Sequence, residues 1–212
     1  MDRRGFLKGA AVAAMGSGIP FGVRAETPAV RNGQVTYSRT FPVKIETDVM
    51  VCGGGPAGVA AAVAARAAGA RVFLAEAFTC FGGMGTAARV PVYMQFGDGI
   101  RPLAAGFGTR FRERLLKAGA ISNNYGSFDF EAVKREYDAV MVESGADFLF
   151  HTKVIDVIRE GDAIQYAICA SQSGIWAVKA KVYVDATGNG DVAVQSGVPF
   201  EKGDSMGKMM PA

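Results

Sequence analysis

Histidine and cysteine are scarce in this 212-residue sequence. His151 is the one histidine, and the three cysteines, Cys52, Cys80 and Cys169, are far apart and odd in number. No C-x-x-C pair occurs, so neither a zinc centre nor a cysteine-ligated iron–sulfur cluster has its usual ligand spacing, and no metal is expected. Cys52 and Cys169 read as small strand residues. Cys80 stands in a glycine-rich stretch and is the one candidate for a reactive thiol. His151 falls at a junction between strands and reads as structural. No serine–histidine–acid set can be assembled and no carboxylate pair stands out, so the catalytic residues are unknown from the sequence.

An excess of one charge is lacking too. The chain has 23 basic and 20 acidic residues, and the imbalance lies in the first 25 positions, where Arg3, Arg4, Lys8 and Arg24 face Asp2 alone. Beyond them the two signs balance, which gives no reason to propose nucleic acid as a partner. Half of the residues are hydrophobic and one-fifth are charged, the composition of a globular protein of one domain, or one domain and part of another. There is no internal repeat and no low-complexity tract.

No strong membrane-spanning run is present. The apolar stretch from Gly9 to Gly22 is diluted by four alanines and three glycines between Gly9 and Gly18, which makes it weak as a span. It follows Arg3-Arg4-Gly5-Phe6-Leu7-Lys8 and precedes Val23-Arg24-Ala25, whose small residues suit a cleavage site. This pattern looks like a twin-arginine export signal over residues 1–25, with an uncleaved anchor as the alternative. The expected destination is the periplasm, with the membrane met only through the signal peptide. That route carries proteins that are already folded.

Residues 26–46 mix Pro, Thr, Arg and Asn without a sustained period and read as a linker and first strand. Val49 to Cys52 is a short apolar run of buried-strand type. Pro56 to Ala68 predicts a buried helix stopped by Gly69, and Arg71 to Ala75 the next strand, which together imply a parallel pair with a right-handed crossover. Leu103, Phe107, Phe111 and Leu115 repeat every four residues and predict an amphipathic helix. Asp129 caps a second whose Phe130, Val133, Tyr137, Val140 and Met141 share a face, ended by Gly145. Ala146 to Phe150 reads as a third strand. Thr152 to Lys179, broken at Glu160-Gly161-Asp162 and Gln172-Ser173-Gly174, predicts a three-stranded meander. Val182 to Ala186 follows as a separate strand.

One motif carries chemistry. Gly53-Gly54-Gly55-Pro56-Ala57-Gly58 is G-x-G-x-x-G after a strand and at the opening of a helix. Gly53 permits the tight turn, Gly55 lets backbone approach a pyrophosphate, and Gly58 allows close helix–strand packing. The helix N-terminus offers free N–H groups and partial positive charge to phosphates. Glu76, at the end of the second strand, is placed to accept hydrogen bonds from both adenosine ribose hydroxyls and would repel a 2′-phosphate, which disfavours NADP. A lone glycine turn is weak evidence; strand, glycines, helix, strand and acid in register are much stronger.

The turn does not separate FAD from NAD, but later features do. Phe81-Gly82-Gly83-Met84-Gly85-Thr86 is a second glycine-rich loop, and the meander and the Ala186-Thr187-Gly188 ending depart from a plain NAD domain. Taken together, Asp48 to Asp191 resembles the FAD-dependent oxidoreductases of the glutathione-reductase structural type, relatives of heterodisulfide reductase flavin subunits and fumarate reductase flavoproteins. The resemblance implies an α/β fold: a Rossmann-type FAD/NAD(P)-binding domain over residues 47–200, with a parallel sheet and a three-stranded β-meander.

It also implies site residues. Gly53, Gly55, Pro56, Ala57 and Gly58 would hold the diphosphate, and Glu76, followed by Ala77, the ribose. Gly82, Gly83 and Met84 match the family's second glycine loop. Val154 would bond the adenine through its backbone, and Ala186, Thr187 and Gly188 match a turn near the diphosphate. Arg89, Arg101, Arg110 and Arg114 could face an anionic substrate or be solvated surface charges.

Such flavoproteins are longer, so the resemblance implies an N-terminal portion truncated before the substrate domain is complete, with 201–212 as the start of that domain. The cysteine clusters of heterodisulfide reductase are missing, which argues against that activity. The expected function is exported, FAD-dependent hydride or electron transfer with an unidentified small substrate and electron acceptor. The alternatives are an NAD-dependent dehydrogenase half and a non-catalytic remnant of a flavoprotein.

Overall fold

A computed structural model describes residues 30–31, 33–90, 92, 98, 100–101, 103, 105–121, 127–204 and 206–209. The expected export signal, 1–25, lies outside the described residues. The chain divides into two compact units, Met1–Thr40 and Phe41–Ala212. The first contains the antiparallel pair β1 (Val30–Arg31) and β2 (Gln34–Val35).

The second unit begins with β3 (Val43–Cys52), α1 (Pro56–Ala67) and β4 (Val72–Ala75). A 3-10 turn at Gly83–Gly85 is followed by α2 (Phe107–Lys117), α3 (Phe130–Ser144) and β5 (Asp147–Leu149). Then come β6 (Lys153–Glu160), β7 (Ala163–Ser171), β8 (Gly174–Asp185) and the short α4 (Asp191–Gln195). The sheet order is β5-β4-β3-β8-β7-β6; β5, β4, β3 and β8 run parallel, while β6, β7 and β8 form the antiparallel meander. This is the expected α/β architecture of parallel sheet plus meander.

Chain length dictates how the sheet is shaped. Its two edge strands, β5 and β6, are joined by residues 150–152 alone. Six flat strands would hold their edges about 24 Å apart. Four residue steps reach at most about 14 Å. The sheet therefore folds over, so that the meander covers one face of the parallel strands.

The two cores follow from that fold and from the period of two along each strand. Val51 and Leu74 point to one face, where they meet Val59 and Ala62 of α1, Phe111 and Leu115 of α2, and Val133, Tyr137 and Met141 of α3. Met50, Cys52, Phe73 and Ala75 point to the other, against Val154, Val157, Ala167, Cys169 and Trp176 of the meander. All four residues of β4 are buried, as a strand covered on both faces requires. Each large apolar side chain so enclosed contributes roughly 1.5–3 kcal/mol.

The helices keep the expected faces, with one change of boundary. Asp129 caps α3 by accepting the N–H groups of Glu131 (2.8 Å) and Ala132 (3.2 Å), a bond set worth about 1 kcal/mol. Phe111 and Tyr137 stack at 4.2 Å between α2 and α3. Leu103, expected on the α2 face, instead precedes the helix and is exposed, because Gly106 is the N-cap.

Two strands are longer than the apolar runs suggest. β3 starts at Val43 rather than Val49, since its more exposed first half is held by register with Ala177 to Ala180. The third meander strand and the Val182 strand, expected to be separate, are one 12-residue strand. Nothing between Gly174 and Asp185 breaks it: the intervening residues are Ile, Trp, Ala, Val, Lys and Tyr. One strand thus belongs to both layers.

Candidate functional site

The expected site residues converge at the ends of β3, β4 and β8. After Cys52 the chain turns through Gly53, whose φ of 103° suits a residue without a side chain. A Cβ on Gly53 would collide with the carbonyl oxygen of Ala186. A Cβ on Gly58 would strike the carbonyl of Gly53 and lie 3.3 Å from the Ala186 methyl. Gly58 is the contact that lets α1 approach the strand. Gly55 is different, because nothing lies within 4 Å of where its side chain would be. It borders open space.

Gly55 is the N-cap of α1 and Pro56 occupies the first turn. No side chain caps this helix and no acid lies in its first turn. α3 has both, in Asp129 and Glu131. The first N–H groups of α1 and the positive end of its dipole are therefore left for an anion. Pro56 and Ala57 are exposed beside this opening.

Glu76 closes the turn from the side. It is 5% exposed, and its Oε2 accepts the N–H of Gly54 while Oε1 accepts the N–H of Phe78 at 2.7 Å. A carboxylate has about four lone-pair positions, so two remain for further donors such as vicinal hydroxyls. The backbone of Glu76 is fixed as well, its N–H bonded to Leu149 (2.9 Å) and its carbonyl accepting from Thr152 (2.8 Å). Ala77 and Phe78 are exposed next to it.

The second glycine loop packs onto the first. The N–H of Gly82 donates to the Gly54 carbonyl at 2.9 Å, and a Cβ on Gly83 would lie 3.3 Å from the Gly55 Cα. Gly82 has φ 97°, and a side chain there would run into Thr86 and Tyr137. Thr86 is buried and donates its hydroxyl to the Phe81 carbonyl, which holds the loop closed. Met84 projects outward, 55% exposed.

The Ala186-Thr187-Gly188 turn lies on the other side of Gly53. The Ala186 N–H donates to the Cys52 carbonyl at 2.9 Å. The Thr187 hydroxyl donates to Asp185 at 2.7 Å, and Gly188 is exposed. Val154 is the expected residue that does not meet the glycines. It is buried in the meander core, two residues beyond Thr152, whose N–H holds Glu76. Asp185 and Thr86 are further polar residues of this cluster, beyond those expected from the motifs. Their signal was a polar side chain directly beside a glycine-containing turn.

Two of the expected arginines pair with acids, and all three thiols are buried. Arg114 binds both oxygens of Glu143, at 2.6 and 2.7 Å, and one of Glu136, which joins α2 to α3. Arg101 lies 3.7 Å from Asp98. Burial pushes the Cys169 thiol up to about 12 and the Cys52 thiol higher still. Cys80 is buried, with its sulfur 3.9 Å from the Thr86 hydroxyl. Among the described residues no three His, Cys, Asp or Glu side chains are grouped to hold a metal. Among them, too, no helix is long and apolar enough to cross a membrane.

Fold and turn together define an α/β protein with a dinucleotide-binding site. The family model for FAD dependent oxidoreductases matches residues 48–211, and the chain belongs to that family. No curated protein matches the chain. Solved structures of the same fold include THI4 of Thermovibrio ammonificans, with 21% identity and a TM-score of 0.51 over 71% of this chain and 61% of that one. A flavocytochrome c3 fumarate reductase in its open conformation has 18% identity and a TM-score of 0.52, over 68% of this chain and 34% of its own. The p-nitrophenol 4-monooxygenase PnpA of Pseudomonas putida has 16% identity and a TM-score of 0.53, over 74% of this chain and 44% of its own. The chain thus spans about three-fifths or less of each.

The cofactor is FAD. The residues present fit it: an uncapped helix start for a diphosphate, open space in front of Gly55, and a fixed carboxylate with two acceptor positions to spare.

Proposed function

We propose that this chain forms the FAD-binding part of an exported oxidoreductase that passes a hydride or electron pair between flavin and a small substrate. The observation that carries this reading is the α1 N-terminus, left without side-chain cap or acid and facing open space at Gly55, with Glu76 fixed beside it. In this reading Gly53, Gly55, Pro56, Ala57 and Gly58 line the diphosphate, with N–H groups of the first α1 turn directed at its oxygens. Glu76 receives the ribose hydroxyls, with Ala77 beside it. Gly82, Gly83 and Met84 border the cofactor from the second loop, and Ala186, Thr187 and Gly188 border it from the end of β8. Val154 meets the adenine through its backbone. Bound flavin supplies the redox chemistry, and the protein supplies binding and orientation.

The test loads the full chain with FAD, reduces it anaerobically, and offers small electron acceptors. The reading predicts that the visible flavin band returns faster than for free FAD under the same conditions. Equal rates would remove the oxidoreductase assignment while leaving FAD binding intact.

Export is supported by Arg3, Arg4, Phe6, Leu7 and Lys8 ahead of a weakly apolar run. Residues 1–25 fused to a folded reporter should deliver it to the periplasm only in cells with the twin-arginine pathway. Replacing both Arg3 and Arg4 by Lys should stop delivery. Delivery that persists in cells without the pathway would reject this route.

A further inference from the structure

Asp185 is the last residue of β8, directly before the Ala186-Thr187-Gly188 turn. Its carboxylate is the centre of a closed set of hydrogen bonds. Oδ1 accepts the Thr187 N–H at 3.1 Å and the Thr187 hydroxyl at 2.7 Å. Oδ2 accepts the N–H of Ala193, in the first turn of α4, at 2.9 Å. The Thr187 hydroxyl oxygen in turn accepts the N–H of Asp191 at 2.9 Å. Strand end, turn and helix start are joined through one carboxylate and one hydroxyl.

What this set holds in place is the wall of the glycine turn. The Ala186 carbonyl lies over Gly53 so closely that no side chain fits between them, and the Ala186 methyl lies next to Gly58. The Ala186 N–H bonds back to Cys52. A shift of the Ala186–Thr187 peptide would move the wall against which Gly53 and Gly58 pack, and with it the turn that carries Gly55 to the open space where the diphosphate lies in the reading above.

We infer that Asp185, acting through the Thr187 hydroxyl, is a positioning residue for FAD: it fixes the Ala186–Thr187 peptide over Gly53 and sets cofactor affinity without touching the cofactor. The inference rests on the FAD-binding reading. It assigns the Thr187 hydroxyl a different task from a phosphate contact, because that proton is given to Asp185. It also accounts for aspartate in place of asparagine. Three donors converge on two oxygens, and an amide nitrogen would face one of them as a second donor. Burial raises the Asp185 carboxyl, and the Ala193 N–H, then the Thr187 hydroxyl and N–H, outweigh it, leaving the group below its ordinary value.

The test titrates FAD into the full-length apoprotein and four variants, at a temperature where circular dichroism shows each one folded. Asp185→Ala and Thr187→Val should each weaken FAD binding about tenfold, the scale of one lost charge-assisted hydrogen bond. The double variant should be no weaker than the weaker single, since both changes break one unit. Thr187→Ser, which keeps the hydroxyl, should bind as the native chain does. If Asp185→Ala does not fold, Asp185→Asn takes its place in the cycle, and it should bind more weakly than the native chain. Native affinity in the Asp185 variant, or effects that simply add, would overturn the inference and leave Thr187 as a direct phosphate contact. Failure of the native chain to bind FAD would instead overturn the reading beneath it.

Discussion

The Gly54 N–H donates to the Glu76 carboxylate, so the glycine turn after β3 and the acid after β4 are one hydrogen-bonded unit. Glu76 therefore does two things. It shapes the turn through Gly54 and Phe78, and it keeps acceptor positions for a ribose.

Glu76→Ala should lower both stability and FAD affinity. It leaves two backbone N–H groups without their acceptor and removes the ribose partner, each loss about 1–3 kcal/mol. Thermal melting of the apoprotein and FAD titration read the two effects separately. Glu76→Gln should keep much of the stability, because its carbonyl still accepts one N–H, but lose affinity. An apoprotein that melts at the native temperature in Glu76→Ala would contradict the Gly54 and Phe78 bonds.

Gly58→Ala should be among the most damaging single changes. Its methyl would meet the Gly53 carbonyl, a backbone atom that cannot rotate away. Overpacking of this kind costs about 1–3 kcal/mol or more. Gly55→Ala should leave the fold unchanged, since its side chain meets open space, and should weaken FAD binding alone. Melting and titration of both variants give the comparison, and equal behaviour would reject the division of labour between the two glycines.

Most of this arrangement is legible in the sequence, because it depends on local chemistry. A strand, three spaced glycines, an alanine-rich helix and a terminal acid specify one another between Val49 and Glu76, and the structure brings them together. Gly161 and Gly174 likewise mark the meander turns. The continuous β8 was not legible. Its two halves read as separate strands because one pairs with β7 and the other with β3, and partner choice depends on residues far away in the chain. Asp185 differs: its partners Thr187 and Ala193 are only two and eight residues away, but an aspartate at a strand end does not by itself specify that the chain turns back so that its carboxylate meets the start of α4.

Asp48 gives a pH dependence. The Lys181 ammonium at 2.8 Å, then the Arg71 backbone N–H and guanidinium, hold its carboxyl well below the usual carboxylate range. A folded pKa below the unfolded one stabilises the protein above the ordinary value of 3.8, and that contribution fades as pH falls from there toward the folded value. Melting temperatures of the native protein and Asp48→Asn should differ at neutral pH and converge in acid. A difference that grows on acidification would have the wrong sign.

Cys52 and Cys169 should resist alkylation in the folded protein at mildly alkaline pH. Both are fully buried in the core between the meander and the parallel strands, and burial raises both thiols. Mass spectrometry after iodoacetamide treatment should find them modified only once denaturant is added. Rapid labelling of Cys169 in the native protein would mean that the meander does not cover the sheet as described.

The most direct test of the account is the identity of the bound nucleotide. Purified full-length protein is denatured, and the released small molecule is identified by chromatography and its absorption spectrum. The account predicts FAD, either carried through purification or taken up stoichiometrically when added to the apoprotein. Release of NAD, or a colourless protein that takes up no FAD, would contradict it.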